Sequence, residues 1–258
     1  MLQCMDTVVD IYAAGDEDTR MTEGRNQLEW IRTCELLDRW LPAAPAVVID
    51  AGGGPGRQAA HLQGLGYAVT VFDIVPLHIE QATARGVPAY LGDARQLPLD
   101  DATVDAVLLL GPLYHLPYRD DRRQALAEAA RLVRPGGVIV AAALSRWARV
   151  FVRAAGGDLA DPTWLQHTLT TMRHGHVQDG DAWDQAVYLH DVDELRCELE
   201  LVGLQQIQVV GVEGPAGAWA RMDPSLTGHA LELARVAETA LAAASIHLLA
   251  CGIRPLHQ

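Results

Sequence analysis

The chain has 258 residues, and its 20 basic and 33 acidic residues give a formal net charge of −13. Every basic residue is an arginine, which excludes Schiff-base chemistry on a lysine and the lysine of a phosphate-binding loop. The acidic charge argues against a nucleic-acid clamp, because such proteins need clustered cations to displace counterions. Half of the residues are hydrophobic, which is enough to bury the core of one large domain.

The first residues and the cysteines favour a cytoplasmic protein. Residues 1–15 include Asp6 and Asp10 but no basic residue, unlike a signal or transit peptide. No apolar run approaches the roughly 20 residues that a membrane helix needs, so no membrane association is expected. The four cysteines are scattered without a C-x-x-C pair, which favours reduced thiols over a zinc site.

Hydrophobic periodicity predicts a regular alternation of helices and strands. The predicted strands are apolar on both sides, which indicates a parallel sheet covered on both faces by helices. Residues 146–190 interrupt this order with an irregular segment rich in Trp, His, Asp and Gly, which is typical of a lid. Strands are predicted over 46–50, 67–73, 88–91, 104–110, 138–144, 205–212 and 246–253, and helices over 26–40, 77–85, 122–133, 192–201 and 228–243.

A glycine-rich loop follows the first predicted strand. The run Asp50-Ala51-Gly52-Gly53-Gly54-Pro55-Gly56 lets the backbone turn tightly and lets a ligand approach without a Cβ in the way. Counted from Gly52, the third glycine of a dinucleotide fingerprint is replaced by Arg57, which disfavours NAD. The carboxylate of Asp50 suits a cationic ligand better than a pyrophosphate.

Together with three further motifs, this loop resembles the class I S-adenosylmethionine-dependent methyltransferases. The other motifs are Asp73 at the end of the second strand, Gly92-Asp93-Ala94, and the turn Arg134-Pro135-Gly136-Gly137 before the fifth strand. The resemblance implies a Rossmann-like α/β fold with a seven-stranded, mostly parallel sheet and an antiparallel last strand. It further implies an N-terminal helical cap over 1–41 and a methyltransferase domain over 42–258, with 146–190 inserted as a substrate lid.

The resemblance also implies the cofactor, S-adenosyl-L-methionine, with S-adenosyl-L-homocysteine as product. Asp73 would hold the ribose hydroxyls, Asp93 would accept from the adenine amino group, and the Ala94 amide would donate to a ring nitrogen. The backbone at Gly52 and Gly54 would lie beneath the methionine part. The predicted cofactor-binding residues are Asp50, Gly52, Gly54, Gly56, Asp73, Asp93, Ala94 and Gly111.

The predicted acceptor site begins after the fourth strand, because open α/β sheets bind ligands at the carboxyl ends of their strands. The run from Gly111 to Leu116 (GPLYHL) resembles a branch of small-molecule and natural-product methyltransferases, and the Asn-Pro-Pro-Tyr ending of enzymes that methylate DNA bases is absent. Tyr114 and His115 are alternatively rings packed in the core. The catalytic candidates are Tyr114, His115 and His176, and the substrate-binding candidates are Tyr12, Arg25, Trp147, His174, His190 and Glu213.

Several alternatives stay open at this point. The acceptor is expected to be a natural-product-like small molecule methylated at O, N or C, and the runner-up is a peptide or protein carboxylate. A cofactor-binding regulator without transferase activity is the alternative from another class. His174-x-His176 with Asp179 and Asp181 offers metal ligands, but hydrogen-bonded loop histidines and no metal are expected. A homodimer is expected only because closed dimers are common.

Overall fold

A computed structural model of the chain describes residues 8–12, 24–157, 161–177 and 186–256. None of the helices within these ranges is long and apolar enough to cross a membrane. The predicted metal-binding alternative at Asp179 and Asp181, like Trp183 of the predicted lid, lies outside the described residues.

Eight strands form one sheet among the described residues. They are β1 (Val47–Ala51), β2 (Ala68–Asp73), β3 (Ala89–Leu91), β4 (Val104–Leu109), β5 (Val133–Ser145), β6 (Leu189–His190), β7 (Gln205–Gly211) and β8 (His247–Ile253). Their order is β3-β2-β1-β4-β5-β8-β7, and β6 pairs with β5 beside that path. Strand β8 runs antiparallel to both β5 and β7, and the other pairs are parallel. The Rossmann-like sheet with an antiparallel last strand is confirmed, and the two-residue β6 is an addition to it.

Helices cover the sheet on both faces. They are α1 (Gln27–Trp40), α2 (Arg57–Gly64), α3 (Pro76–Ala84), α4 (Arg119–Leu132), α5 (Ala148–Gly156), α6 (Pro162–His174), α7 (Val192–Leu201), α8 (Gly217–Met222) and α9 (Thr227–Ala237). Residues 8–12 are also helical. The predicted helix over 26–40 agrees with α1 within a few residues. The first four predicted strands, over 46–50, 67–73, 88–91 and 104–110, agree equally well with β1 to β4.

Two hydrophobic clusters fill the space between sheet and helices, because successive strand residues point to opposite faces. On β1, Ile49 belongs to the cluster that includes Leu126 of α4 and Leu195 of α7. Its neighbour Val48 belongs to the cluster that includes Leu36 of α1 and Leu62 of α2. A strand buried on both faces therefore reads as a continuous apolar run.

The prediction that 146–190 is irregular was wrong. Helices α5 and α6 occupy much of this segment, and Asp161 caps α6 by accepting a hydrogen bond from the Thr163 amide. Pro162 at the first helical position follows that cap, which is a regular helix-start pattern. The Trp, His and Gly residues masked this periodicity in the sequence. After β6, Asp191 and Glu194 form the predicted capping box of α7.

Candidate functional site

A cavity opens at the carboxyl ends of β1, β2 and β4, where the predicted cofactor and acceptor motifs meet. Its floor is the loop after β1, and the loop after β4 and the helical residues 8–12 contribute further walls. The predicted site residues that line it are Tyr12, Asp50, Gly52, Gly54, Asp73, Asp93, Ala94, Gly111, Tyr114 and His115.

The glycine loop is shaped by backbone that other residues would strain. Gly52 has φ +75°, and a Cβ at this position would overlap the ring of Pro112 in the loop after β4. The Gly52 amide donates to the carbonyl oxygen of Phe72 at 2.6 Å, which fixes the start of the loop against β2. Because no side chain fits here, the loops after β1 and β4 approach closely and leave the space above them for a ligand.

Asp50 presents an unusual carboxylate to the cavity. Its residue is 1% exposed, and neither carboxylate oxygen accepts a hydrogen bond from the part of the chain that the structure describes. Burial, and then the nearby charge of Asp73, raise the pKa of Asp50 to about 7. A buried polar group without a partner costs free energy, so a cationic or hydrogen-bonding ligand would stabilise it.

Asp73 is held in a fixed orientation at the end of β2. Its Oδ2 accepts from the Gly54 amide at 2.9 Å, and its Oδ1 accepts from the Val75 amide at 2.9 Å. The Nδ1 atom of His78 lies 3.1 Å from the same Oδ1 atom. A carboxylate has about four lone-pair sites, so Oδ2 of Asp73 can still accept a bond from a ribose hydroxyl.

Asp93 forms an ion pair with a neighbouring arginine. The Arg95 guanidinium bonds both of its oxygens, through Nη2 at 2.6 Å and Nε at 3.0 Å to Oδ2 and through Nε at 3.1 Å to Oδ1. Arg95 also pairs with Asp121 of α4 at 2.8 Å, and these bonds raise the pKa of Arg95 despite its burial. Asp93 lines the cavity while it is paired with Arg95. Its predicted hydrogen bond to adenine stays a prediction.

His115 joins three parts of the chain at the cavity wall. Its Nε2 lies 2.8 Å from the Tyr12 hydroxyl, and its Nδ1 lies 3.4 Å from the carbonyl oxygen of Ala186. A nitrogen that faces a carbonyl must carry the proton, so in the neutral ring Nε2 accepts and the Tyr12 hydroxyl donates. The Tyr188 amide donates to the Tyr114 carbonyl at 2.8 Å beside it.

His190 was predicted to bind substrate, but the structure places it in a buried ion cluster away from the cavity lining. It is 0% exposed, and its Nε2 lies 3.4 Å from Glu198. Arg122 pairs with the same Glu198 at 2.7 Å and lies 3.7 Å from the Tyr188 ring centroid. Burial lowers the pKa of His190 more than Glu198 raises it, so a neutral, structural ring explains this position.

Five further predicted residues also lie outside the cavity lining. Arg25, Trp147, His174 and His176 are exposed, and His176 packs against the Tyr188 ring with centroids 5.0 Å apart. Gly56 has φ +76° and precedes α2, where a Cβ would lie 2.8 Å from the Cβ atom of Ala82 in α3. Gly56 therefore serves helix packing, which the sequence motif did not distinguish from cofactor contact.

Glu213 does not line the cavity itself but contacts His247 behind the cavity wall. It is 4% exposed and forms a short contact with Nδ1 of His247, and it accepts from the Ser245 hydroxyl at 2.8 Å. Nε2 of His247 lies 3.7 Å from Glu29 of α1, which does line the cavity. Four residues that line the cavity were not predicted from the sequence, namely Glu29, Trp30, Gln58 and His78. His78 follows Asp73 by five residues, but no local pattern marks Glu29.

The chain is similar to known methyltransferases. A family model described as a methyltransferase domain matches residues 49–141. An uncharacterized methyltransferase of Mycobacterium tuberculosis is 32% identical over 154 residues, which cover 56% of this chain and 62% of that protein. A protein of Encephalitozoon cuniculi that is named as a methyltransferase is 30% identical over 169 residues, covering 63% of this chain and 77% of that protein. The chain belongs to the S-adenosylmethionine-dependent methyltransferase family.

The solved structures agree with this family's fold. The chain resembles a Burkholderia thailandensis 1,6-didemethyltoxoflavin-N1-methyltransferase with bound 1,6-didemethyltoxoflavin and S-adenosylhomocysteine, with a TM-score of 0.59 and 19% identity over 98% of this chain and 89% of that one. At that identity, the likeness carries the fold alone. The match to the M. tuberculosis relative spans about three fifths of that protein's length.

The cavity of this methyltransferase fits the family's cofactor, S-adenosylmethionine. Asp50 offers a buried carboxylate for a cationic group, and Gly52 lets the loop after β1 pack closely against Pro112 in the loop after β4. Asp73 sits where bonds from a diol can reach a fixed carboxylate. This donor and acceptor set matches a ligand with an ammonium group, a sulfonium and a ribose.

Proposed function

We propose that this chain transfers a methyl group from S-adenosylmethionine to a small-molecule acceptor. The observation that carries the proposal is the single cavity that joins the cofactor residues Asp50, Gly52 and Asp73 to Tyr114 and His115. The Burkholderia thailandensis protein, whose structure holds bound 1,6-didemethyltoxoflavin and S-adenosylhomocysteine, supports a small acceptor. The GPLYHL run remains the sequence basis for a natural-product-like acceptor.

The bound cofactor would supply a methyl group on a positively charged sulfur. The chain's contribution is to align the acceptor with that methyl and to exclude water, and alignment alone can supply roughly 7–11 kcal/mol of the barrier. Tyr12 covers the cavity and orients His115 through the 2.8 Å bond. Tyr114, which is 8% exposed, holds the loop after β4 in place through its backbone contact with Tyr188.

His115 can act on the acceptor in two ways. As a neutral ring whose Nδ1 is held by Ala186, it presents Nε2 toward Tyr12 and so toward the cavity mouth. It can then steer an acceptor hydroxyl or amine, or accept a proton from it through the Tyr12 hydroxyl. His176, the other predicted catalytic histidine, is exposed and outside the cavity lining, so it has no part in this proposal.

Incubation with methyl-labelled S-adenosylmethionine and a panel of amines, phenols, alcohols and carboxylic acids tests the proposal. A labelled small-molecule product and stoichiometric S-adenosylhomocysteine are the expected results. Label on the protein substrates of a lysate, with none on small molecules, would instead support the peptide or protein carboxylate alternative. Cofactor binding without label transfer to either class would support the regulator alternative.

A further inference from the structure

A buried carboxylate–imidazole–carboxylate chain borders the proposed acceptor site, and the mechanism above does not use it. It runs from Glu213 after β7, through His247 at the start of β8, to Glu29 on α1. The three residues are 4%, 8% and 9% exposed, respectively. Only Glu29 of the three lines the cavity.

The group of Glu213, His247 and Glu29 lies apart from the cofactor residues. Cofactor residues stand at the ends of β1 and β2, on one side of β4 in the sheet order. Glu213 and His247 stand at the same edge of the sheet but on β7 and β8, beyond β5 on the other side. The loop after β4, with Tyr114 and His115, lies between the two groups. Glu29, which lines the cavity and lies 3.7 Å from His247, is the member of this group that reaches the cavity.

Glu213 is built to orient His247 rather than to meet a ligand. It receives the His247 ring at Oε1, and its Oε2 accepts from the His247 amide at 2.9 Å and the Ser245 hydroxyl at 2.8 Å. Burial by itself would raise the pKa of Glu213, but His247 and Ser245 lower it, so Glu213 is an anion. A carboxylate bonded to Nδ1 leaves Nε2 of the ring as the atom available for proton exchange, as in catalytic triads.

We propose that Glu29, His247 and Glu213 form a proton-accepting triad for the acceptor, and that the acceptor is therefore an amine or hydroxyl compound rather than a carboxylate. This inference rests on the proposed methyl transfer. Glu29 would be the catalytic residue that touches the acceptor, and His247 and Glu213 would be positioning residues behind it. The carboxylate of Glu29 on the cavity wall would also repel an anionic acceptor placed beside it.

The proposed step balances as follows for an acceptor written X–H. The lone pair of X forms a bond to the methyl carbon, and the carbon–sulfur bond breaks with its electron pair returning to sulfur. The proton leaves X for an oxygen of Glu29 and is shared with Nε2 of His247, from which it passes to solvent. Among the described residues, Glu29 from α1 and Glu213 after β7 face His247 with negative charge, and both stabilise the protonated ring that forms when Nε2 takes the proton.

The first test needs no acceptor. Nuclear magnetic resonance of the histidine rings would follow His247, assigned with the variant His247→Gln, in the full chain bound to S-adenosylhomocysteine or to sinefungin. Sinefungin carries an ammonium group in place of the methylsulfonium. If Glu29 and His247 face the reacting position, this added cation lowers the pKa of the His247 ring relative to the S-adenosylhomocysteine complex. Equal pKa values in the two complexes would overturn the proposal.

The second test uses the acceptor found with labelled cofactor. Glu29→Gln is expected to lower kcat by roughly 100-fold or more, because a general base is lost, and to remove the rise of kcat with pH. The exposed Glu80→Gln on α3 is the matched control and should behave as the wild type. An unchanged pH profile in Glu29→Gln, or turnover only on carboxylic acids, would overturn the triad.

Calorimetry with S-adenosylhomocysteine separates this failure from that of the proposed function. A Glu29→Gln variant that binds the cofactor product normally and turns over normally refutes the triad alone. A wild-type chain that does not bind it refutes the proposed function and, with it, the triad. Titration with Zn²⁺ or Mn²⁺ alone adds one more outcome, since tight stoichiometric binding that Glu213→Gln abolishes would replace the proton-transfer role with a metal site.

Discussion

The two ends of the cavity are built in opposite ways. At the cofactor end, Asp50, Gly52, Asp73 and Asp93 come from three successive strand ends within one segment of the chain. At the acceptor end, the contacts join residues far apart in sequence, such as Tyr12 with His115 and Glu29 with His247. The cofactor residues thus form a compact local motif, whereas the proposed acceptor site is assembled from distant elements that meet at the same sheet edge.

This difference predicts distinct responses to mutation. Changes in ion pairs that join distant parts of the chain, such as the Arg122–Glu198 pair outside the cavity, should disturb stability. Changes at the cofactor end should disturb ligand affinity through local geometry. The following predictions are ordered from the largest expected effect to the smallest, and each would weaken or sharpen that contrast.

Arg122→Met should cost the most stability. It leaves the fully buried Glu198 without its guanidinium partner, and removing one member of a buried pair costs about 3–5 kcal/mol of unfolding free energy. Urea unfolding would measure it. Arg123→Met on the same helix is the control, because Arg123 is half exposed and its nearest charged partner, Asp120, is as far as 3.9 Å away. Its unfolding free energy should stay within about 0.5 kcal/mol of the wild type. Equal effects of the two variants would show that the buried network is not a stabilising element.

Gly52→Ala should destabilise the cofactor loop by roughly 2–4 kcal/mol, because φ +75° disfavours alanine and the new Cβ overlaps Pro112. Gly64→Ala is the opposite case. A Cβ at this helical position meets nothing within 4 Å, so alanine should stabilise by about 0.5–1 kcal/mol. Thermal unfolding of both variants checks the pair, and a tolerated Gly52→Ala would mean that the loops after β1 and β4 are not packed as described.

Asp73→Ala should weaken S-adenosylhomocysteine binding by 10-fold or more, since charge-assisted bonds worth roughly 1.5–3 kcal/mol are lost. Asp100→Ala, an exposed position in the loop before β4, should leave the affinity unchanged. Calorimetry would compare the two. An unaffected Asp73→Ala would remove this residue from the cofactor site.

The affinity for S-adenosylmethionine should rise with pH near neutrality. The pKa of Asp50 is about 7, well above its ordinary value of 3.8, so the free protein holds a proton there at lower pH. A cationic ligand favours the carboxylate, and binding should then release that proton, most strongly below pH 7. Calorimetry in buffers of different ionisation enthalpy measures the release. Asp50→Asn should abolish it, and an identical proton release in that variant would contradict the role of Asp50.

The same contrast explains what the sequence could predict. Val48 and Ile49 point to opposite faces of a doubly covered sheet, so β1 is visible as an apolar run, and the glycines after it mark a turn that few other residues could make. Asp73 follows from its place at a strand end. These features depend on neighbours in the chain, and local patterns record them.

The residues at the proposed acceptor end do not form local sequence patterns of this kind. His190 and Glu213 are polar residues at strand ends, which fits a pocket, but each is buried against partners from distant elements. Glu29 lies on an amphipathic helix and becomes a cavity residue only because the fold packs α1 against β8. Asp93 was predicted to accept from adenine, and only the fold shows that its neighbour Arg95 is shared with Asp121 of α4.

A calorimetric titration of the wild-type chain with S-adenosylhomocysteine tests the central claim most directly, because every proposal here places that product in the cavity over β1 and β4. The account predicts saturable binding of one molecule per chain, weakened by Asp73→Ala and unchanged by Asp100→Ala. The absence of saturable binding by the folded protein, or binding that is indifferent to Asp73, would contradict it.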